Sequence, residues 1–197
     1  ALPFYRQETL FARIGVELSR VDFSHWAIQA ARACDPLIEG MLEEVRSGPV
    51  VLMDETRLQV MKELGRANTS QSYMWVIRGG PPEHPLIVYR YHPTRSGKVA
   101  LQYLAEYQGF LHTDGYEEYN KVGALPGITH AGCWAHARRK FDEAARASKK
   151  KAGSAREALE TIGRLYRIER ELRDQPLTPE AFMWRRKEQA LPILNAF

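Results

Sequence analysis

The chain has 197 residues, 44% of them hydrophobic and 26% charged, and carries a formal net charge of +4 at pH 7. This composition is typical of a soluble globular protein with one main domain, and the mild positive charge permits a polyanionic partner. The sequence has no apolar run long enough to span a bilayer, no secretory signal and only two distant cysteines, which together predict a cytoplasmic protein without a membrane partner.

Residues 1–47 are predicted to be helical. Gly15 ends a first helical pattern, and Ser19 is placed to cap a second one, whose apolar residues recur at helical spacing and are interrupted at Pro36. Two helices joined by a glycine-containing turn also outline a helix-turn-helix DNA reader. Because any packed helical hairpin has this outline, a DNA-reading role and a structural platform both stay open.

Strands are predicted next. The apolar run "VVLMDET" (50–56) is typical of a strand covered on both faces and carries Asp54 near its end. The segments "YMWVIRGG" (73–80) and "LIVYRYH" (86–92) are rich in aromatic and β-branched residues. The Gly- and Pro-rich stretch between them predicts a hairpin with a longer loop.

Strands and helices then alternate. A helix is predicted over 96–109 with Gly109 as its stop, followed by the strand "FLHTDG" (110–115), a short helix and the strand "ITHAGCW" (128–134). This order predicts an α/β fold with a mixed sheet flanked by helices, as in the ribonuclease-H-like fold. In that fold the first and fourth strands are neighbours, which would bring Asp54 beside Asp114.

The last third is predicted to form charged helices. A coiled-coil-like alternation covers 154–175, and Thr178 caps a further helix that has Pro179 in its first turn. We therefore divide the chain into a helical segment at 1–47, a ribonuclease-H-like core at 48–147 and a helical segment at 148–197. The last segment is an insertion or a continuation of the core.

Asp54 and Asp114 suggest a divalent metal site. A carboxylate at the end of a buried strand is unfavourable without a positive partner. Mg²⁺ takes hard oxygen ligands, and two such ions about 3.5–4 Å apart promote in-line displacement at phosphorus. The alternatives are a loop-capping role for Asp54 and an ordinary Asp-Gly turn for Asp114. Glu55 is expected to point to the opposite face from Asp54.

Several basic residues are candidates for contact with DNA phosphates. These are Arg95, Lys98, Arg138, Arg139 and Lys140, near predicted helix starts beside the candidate site. Two further clusters occur at 149–151 and 185–187. For any single cluster, a solvated helix face is the alternative interpretation.

The pair Cys133 and His136 has a Cys-x-x-His spacing. A structural zinc site needs four ligands, and no second pair is spaced to complete one, so we predict a structural role near the site. His136 and Arg139, with Tyr166 downstream, also outline a tyrosine recombinase. The strand-rich middle of the chain argues against that alternative.

The motifs "VVLMDET", "SYMWVIRGG", "YHPTRSGK", "GFLHTDGYEEYN" and "GITHAGCWAHARRKFDEA" together resemble the central domain of the insertion-sequence-66 family of bacterial transposases. The segments "GVELSRVDFSHWAIQAA" and "IGRLYRIERELR" also resemble that family, so the likeness covers nearly the whole chain. It implies a catalytic core of the Asp-Asp-Glu type, with Asp54 as the first acid and Asp114 as the second. It also implies Mg²⁺ or substituting Mn²⁺, insertion-sequence ends and target DNA as partners, and a homo-oligomer.

One part of the family pattern is missing. The resemblance places the third acid in a segment like Asp-Asn-Asn followed by Glu-Arg, which does not occur in residues 1–197. We therefore expect a fragment that is inactive in metal-dependent cleavage and strand transfer by itself. The alternative from another class is a non-catalytic DNA-binding or assembly module.

Overall fold

The computed structural model describes residues 2–147 and 153–197. The helices and strands of these residues are, in chain order, α1 Phe4–Arg13, α2 Arg20–Ser47, β1 Val50–Gln59, β2 Gln71–Gly79, β3 Leu86–His92, α3 Gly97–Tyr103, β4 Gly109–Thr113, α4 Glu118–Gly123, β5 Ile128–Gly132, α5 Trp134–Ala147, α6 Ser154–Arg173 and α7 Pro179–Asn195. None of the helices in this part of the chain is both long and apolar enough to cross a membrane.

The chain divides into two compact units. The first contains the described residues up to Leu111 together with Val122–Thr129, and the second contains His112–Lys121 and the described residues from His130 to Phe197. Each unit is described by itself below. The domain boundaries expected from the sequence stay a prediction.

The five strands form one mixed sheet in the order β3-β2-β1-β4-β5. β1 pairs antiparallel with β2, with Asp54 opposite Val76, and β2 pairs antiparallel with β3, with Val76 opposite Tyr89. Near the start of β4, the Phe110 N–H donates to the Pro49 carbonyl at 3.0 Å. This order is that of the ribonuclease-H-like fold, so the predicted fold class is confirmed, including the adjacency of the first and fourth strands.

One face of the sheet in the first unit is covered. Side chains of β1 and β2 such as Val51, Met53, Trp75 and Ile77 are almost completely buried, with α2 packed against β2 and β3. The Trp75 ring also meets the ring of Tyr103 in α3, at 6.1 Å between centroids. A helix on one sheet face buries alternate residues of each strand, which gives the first unit its core.

The opposite face of these strands is open. Ile87 and Tyr89 of β3 are 46% and 61% exposed. Burial along β1 alternates, with Val50 exposed and Val51 buried. The prediction that β1 is covered on both faces is therefore wrong. α2 and α3 pack against one face of the sheet, and every second residue of β1 therefore faces the open side.

Gly79 allows the close approach of α2 to β2. A Cβ at this position would lie 2.6 Å from the carbonyl oxygen of Val45, well inside normal contact distance. The next residue, Gly80, donates its N–H to the same Val45 carbonyl at 3.0 Å. The sequence marks these glycines only as turn residues, whereas their packing role depends on the helix above them.

α2 begins as the sequence predicts. The Ser19 hydroxyl accepts a hydrogen bond from the Asp22 N–H at 3.3 Å, and Asp22 Oδ2 accepts one from the Ser19 N–H at 2.9 Å, which is a capping box. The predicted interruption at Pro36 is wrong, because α2 continues through this residue to Ser47. Packing of Leu42 and Val45 against the sheet stabilises the helix beyond the proline.

Replacing Ser19 by Ala is expected to lower the free energy of unfolding by about 1 kcal/mol, because the Asp22 N–H at the helix start loses its hydroxyl acceptor. Hydrogen bonds from Ser19 also hold the pKa of Asp22 below its usual value. A lowered carboxyl pKa stabilises the fold above the ordinary Asp pKa, and this contribution disappears as the pH falls through the lowered value. Urea titration at neutral and acidic pH measures both effects.

The matched control is Ser154→Ala, since Ser154 is exposed in the first turn of α6 and the N-cap there is Gly153. This change is expected to shift the free energy of unfolding by less than about 0.5 kcal/mol. Equal losses for Ser19→Ala and Ser154→Ala would show that the capping box does not stabilise α2.

α3 is shorter than predicted. It ends at Tyr103, and Glu106, with a φ of 61°, then turns the chain. Gly109 begins β4 instead of stopping a helix. The apolar spacing that suggested a longer helix includes Leu104 and Tyr107, which are buried in the turn that follows α3. A helical spacing of apolar residues therefore does not distinguish a helix from a packed turn here.

The second unit contains the late helices. α6 packs against both α5 and α7, with Ile162, Leu172 and Ile193 buried. The Thr178 hydroxyl accepts a hydrogen bond from the Ala181 N–H at 3.3 Å, which confirms the predicted start of α7. At the other end of this helix, the Phe197 ring lies 5.9 Å from the ring of Trp134 in α5.

Candidate functional site

Asp54 lies in the first unit, in the middle of β1. The sequence predicts this residue near the end of a strand, but β1 continues to Gln59. Its side chain is exposed, and Oδ1 accepts a hydrogen bond from the Glu55 N–H at 2.9 Å. The alternation of a strand places Asp54 on the open face, opposite to Val51 and Met53. A carboxylate on this face is accessible to an ion or a substrate from solvent.

Glu55 points to the covered face. Its side chain is completely buried, and its carboxylate forms an ion pair with Arg95, whose side chain is 28% exposed. This arrangement confirms the predicted opposite orientation of Asp54 and Glu55. The sequence alone did not identify the pair, because its two members are 40 positions apart. Contact of Arg95 with DNA stays a prediction.

Asp114 lies in the second unit, directly after β4, and is half-buried. Its Oδ1 accepts a hydrogen bond from the Tyr116 N–H at 3.0 Å, which forms an Asx turn. The preceding residue, Thr113, is buried, and its hydroxyl lies 2.7 Å from His130 Nε2. These contacts orient the carboxylate at the end of β4.

Cys133 joins β4 to the start of α5. Its N–H donates to the Thr113 carbonyl at 2.8 Å, and its own carbonyl accepts from the N–H groups of His136 and Ala137, each at 3.1 Å. Among residues 2–147 and 153–197, no three His, Cys, Asp or Glu side chains converge as a metal site. The structural role of the Cys133 and His136 side chains stays a prediction.

The basic candidates other than Arg95 lie on two helices. Lys98 is exposed in the first turn of α3, and Arg138, Arg139 and Lys140 are exposed on α5. Lys140 Nζ lies 3.3 Å from Glu143 Oε2, one turn away on the same helix. Exposure permits contact with DNA phosphates but is equally typical of a solvated helix face, so the DNA-binding assignment stays a prediction.

Of the two other basic clusters, the structure describes the one at 185–187. Arg186 forms an ion pair with Glu169, and Arg185 Nη1 donates to Gln175 Oε1 at 2.8 Å. These contacts join α7 to α6 and to the residues that follow it. The cluster at 149–151 lies outside the described residues.

A groove in the second unit was not predicted from the sequence. It has a volume of about 1000 Å³ and is lined by residues of α5, α6 and α7, and also by His112 of β4 and by Cys133. Its apolar lining includes Trp134, Leu165, Met183, Leu191 and Leu194. No local sequence signal identifies such a groove, because three helices that are separate in sequence form it.

The chain has the sequence pattern of one known family. The transposase IS66 family matches residues 1–197, which is the full length of the chain. The chain belongs to this family. The resemblance that we inferred from the motifs around Asp54, Asp114 and Cys133 is therefore confirmed.

The curated relatives are longer proteins. Two uncharacterized proteins of Sinorhizobium fredii (strain NBRC 101917 / NGR234) are similar to this chain. Protein y4jD is 34% identical over 187 residues, which cover 88% of this chain and 36% of the relative. Protein y4qI is 31% identical over 202 residues, which cover 96% of this chain and 37% of the relative. The chain thus spans a little over a third of the length of these proteins.

Two solved structures show a more distant likeness. One is the intasome of simian T-cell lymphotropic virus in complex with PP2A regulatory subunit B56 gamma, with 13% identity and a TM-score of 0.34, covering 71% of this chain and 47% of the other. The second is the HTLV-2 integrase catalytic core domain in complex with magnesium, with 10% identity and a TM-score of 0.33, covering 68% and 91%.

Proposed function

We propose that this chain supplies two metal-binding carboxylates, Asp54 and Asp114, to a DNA transposase of the Asp-Asp-Glu type. In this reaction water hydrolyses a phosphodiester at the end of an insertion sequence. The freed 3′ hydroxyl then attacks a phosphodiester of target DNA and displaces the 3′ oxygen of the target strand. The observation that carries this proposal is the exposed Asp54 in β1, next to β4, which ends one residue before Asp114. Membership of the transposase IS66 family supports the same chemistry.

The donor atoms of these residues fit Mg²⁺ or Mn²⁺. Carboxylate oxygens are hard ligands of the type that both ions prefer, and Asp54 is accessible from solvent. When bound, the ions supply activation of the attacking oxygen and stabilisation of the leaving oxygen. Asp54 is the better candidate for a ligand shared by two ions, because it lies on a central strand of the sheet.

The third carboxylate is proposed to lie outside residues 1–197. No motif of the expected type occurs in this range, and the described residues do not form a cluster of three ligands. The chain alone is therefore expected to lack strand-transfer activity. The length of the relatives, of which this chain covers 36–37%, is consistent with further functional residues in the whole protein.

The remaining assignments concern partners. We propose that Lys98, Arg138, Arg139 and Lys140 contact the DNA backbone, because they are exposed cations on the helices that follow β3 and β5. Arg95 is the weaker candidate for DNA contact, since Glu55 binds its guanidinium group. A homo-oligomer that joins two element ends in the cytoplasm completes the proposal.

Cleavage in a full-length family protein that contains this segment tests the proposal. Asp54→Asn is expected to lower the rate of Mg²⁺-dependent strand cleavage about a thousand-fold, because loss of a metal ligand removes several kcal/mol of transition-state stabilisation. DNA affinity, measured by gel shift, is expected to change less than about two-fold, since this carboxylate does not attract phosphates by itself.

The matched control is Asp35→Asn, which removes an exposed carboxylate of α2 in the same unit. This variant is expected to retain full cleavage. If Asp54→Asn cleaves as fast as Asp35→Asn, the metal mechanism is wrong and the alternative, a non-catalytic DNA-binding or assembly module, replaces it.

A further inference from the structure

We propose that the groove between α5, α6 and α7 binds an unpaired segment of a DNA strand. This inference rests on the proposed function, in which DNA is the substrate, and adds a binding site that the sequence analysis did not predict. All residues that line the groove belong to the second unit.

The apolar side chains that line the groove, which we call its floor, are partly aromatic. Trp134 is 38% exposed, Leu191 and Leu194 are 44% and 42% exposed, and Tyr166 lines the same groove. A contiguous set of exposed apolar side chains around a concave surface is typical of a binding site. Aromatic side chains on such a floor provide surfaces on which unstacked nucleobases stack.

The charged side chains that line the groove, which we call its rim, carry a net positive charge. Its lining contains four basic residues, Arg170, Arg173, Arg186 and Lys187, and two acidic residues, Glu169 and Asp174, which leaves an excess of two positive charges. Glu169 forms ion pairs with Arg173 and Arg186. Arg170 and Lys187 are exposed and are therefore the cations best placed to attract a phosphate.

An unpaired strand matches both properties. Double-stranded DNA presents phosphates to the rim, but its base faces are stacked in the duplex and do not reach an apolar floor. A neutral apolar ligand fits the floor but does not use the rim. A single strand combines regularly spaced phosphates with exposed aromatic faces, which is the chemistry that grooves for single strands recognise.

The position of the groove also favours DNA. The lining of the groove includes Cys133 and also His112 of β4, which lies two residues before Asp114. A DNA strand bound in the groove would thus contact β4 close to Asp114, the proposed metal ligand in the same unit. Binding of an acidic amphipathic helix or of a second copy of the chain does not depend on a groove close to Asp114.

Fluorescence anisotropy with the 197-residue chain tests the inference. The probes are a labelled single strand of about 12 nucleotides and its duplex, at matched ionic strength. The double variant Arg170→Glu with Lys187→Glu is expected to weaken single-strand binding at least ten-fold. The matched control, Arg156→Glu with Arg164→Glu, reverses two exposed charges of α6 outside the groove and is expected to weaken it less than about three-fold.

A second pair of variants tests base stacking. Trp134→Ala is expected to weaken single-strand binding about ten-fold, whereas Trp134→Phe retains most of the affinity because it keeps an aromatic face. The control Trp184→Ala removes an exposed tryptophan of α7 outside the groove and is expected to leave binding unchanged. Circular dichroism and thermal melting verify that each variant folds.

Three results would overturn the inference. Equal losses in the groove variants and their controls would show diffuse charge attraction. Tighter duplex binding that depends equally on Trp134 would assign the groove to duplex DNA. An oligomer, measured by light scattering, that only the groove variants dissociate would make the groove a subunit interface.

Mn²⁺ binding on the same samples separates this inference from the proposed function. If Mn²⁺ binding depends on Asp54 but the groove variants bind single strands normally, the inference alone is wrong. If Mn²⁺ binding does not depend on Asp54, the proposed function is wrong, and the paired variants still decide whether the groove binds DNA.

Discussion

Replacing Asp54 by Asn is expected to weaken Mn²⁺ binding by the 197-residue chain at least ten-fold. The substitution keeps the shape of the side chain but removes a negative charge and a hard oxygen ligand, which divalent ions require. Asp114→Asn is expected to weaken binding to a similar extent. Electron paramagnetic resonance of free Mn²⁺, titrated with protein, measures the affinity directly.

Two controls make this result specific. Asp35→Asn and Glu117→Gln each remove an exposed carboxylate, the second only three residues from Asp114, and neither is expected to change Mn²⁺ affinity more than about two-fold. A double variant of Asp54 and Asp114 should bind no Mn²⁺ above the level of nonspecific surface binding. If all four single variants bind Mn²⁺ equally well, these aspartates do not form a metal site.

Replacing Arg95 by Ala is expected to lower the free energy of unfolding by about 2–4 kcal/mol. The change leaves the completely buried Glu55 carboxylate without its guanidinium partner, and removal of one member of a buried ion pair is strongly destabilising. We expect somewhat less than for a fully buried pair, because solvent screens the partly exposed Arg95. Denaturant titration of the chain measures this loss.

The double variant Glu55→Met with Arg95→Met is the matched comparison. It removes both charges and fills the space with apolar atoms, so it should be more stable than Arg95→Ala. If Arg95 serves only to contact DNA, the pattern is the opposite. Arg95→Ala then weakens DNA binding but leaves the free energy of unfolding within about 0.5 kcal/mol of the parent chain.

Local patterns predicted most of the elements. β3 occupies the predicted residues, α2 begins at the predicted cap, and α7 begins after Thr178. These features depend on neighbouring residues, since caps, turns and alternation act within a few positions of the chain. The predicted strand order was confirmed because it follows from the sequence of elements.

The errors arise where packing overrides local preference. Pro36 does not interrupt α2, because the sheet below the following residues stabilises the helix. Gly109 begins a strand because the apolar residues before it are buried in a turn. Asp54 lies in mid-strand because pairing with β2 extends β1 to Gln59. For Pro36 and Asp54, residues distant in sequence determine the outcome, whereas for Gly109 the burial of nearby residues does.

The sequence by itself determined the family, the fold class and the two aspartates as candidates, because short motifs and periodicity carry this information. Only the tertiary structure determined that Glu55 is buried with Arg95 and that α5, α6 and α7 form a basic groove with an apolar floor. Burial and electrostatic pairing depend on which distant side chains fold onto one another, and no local pattern in a single sequence specifies that arrangement.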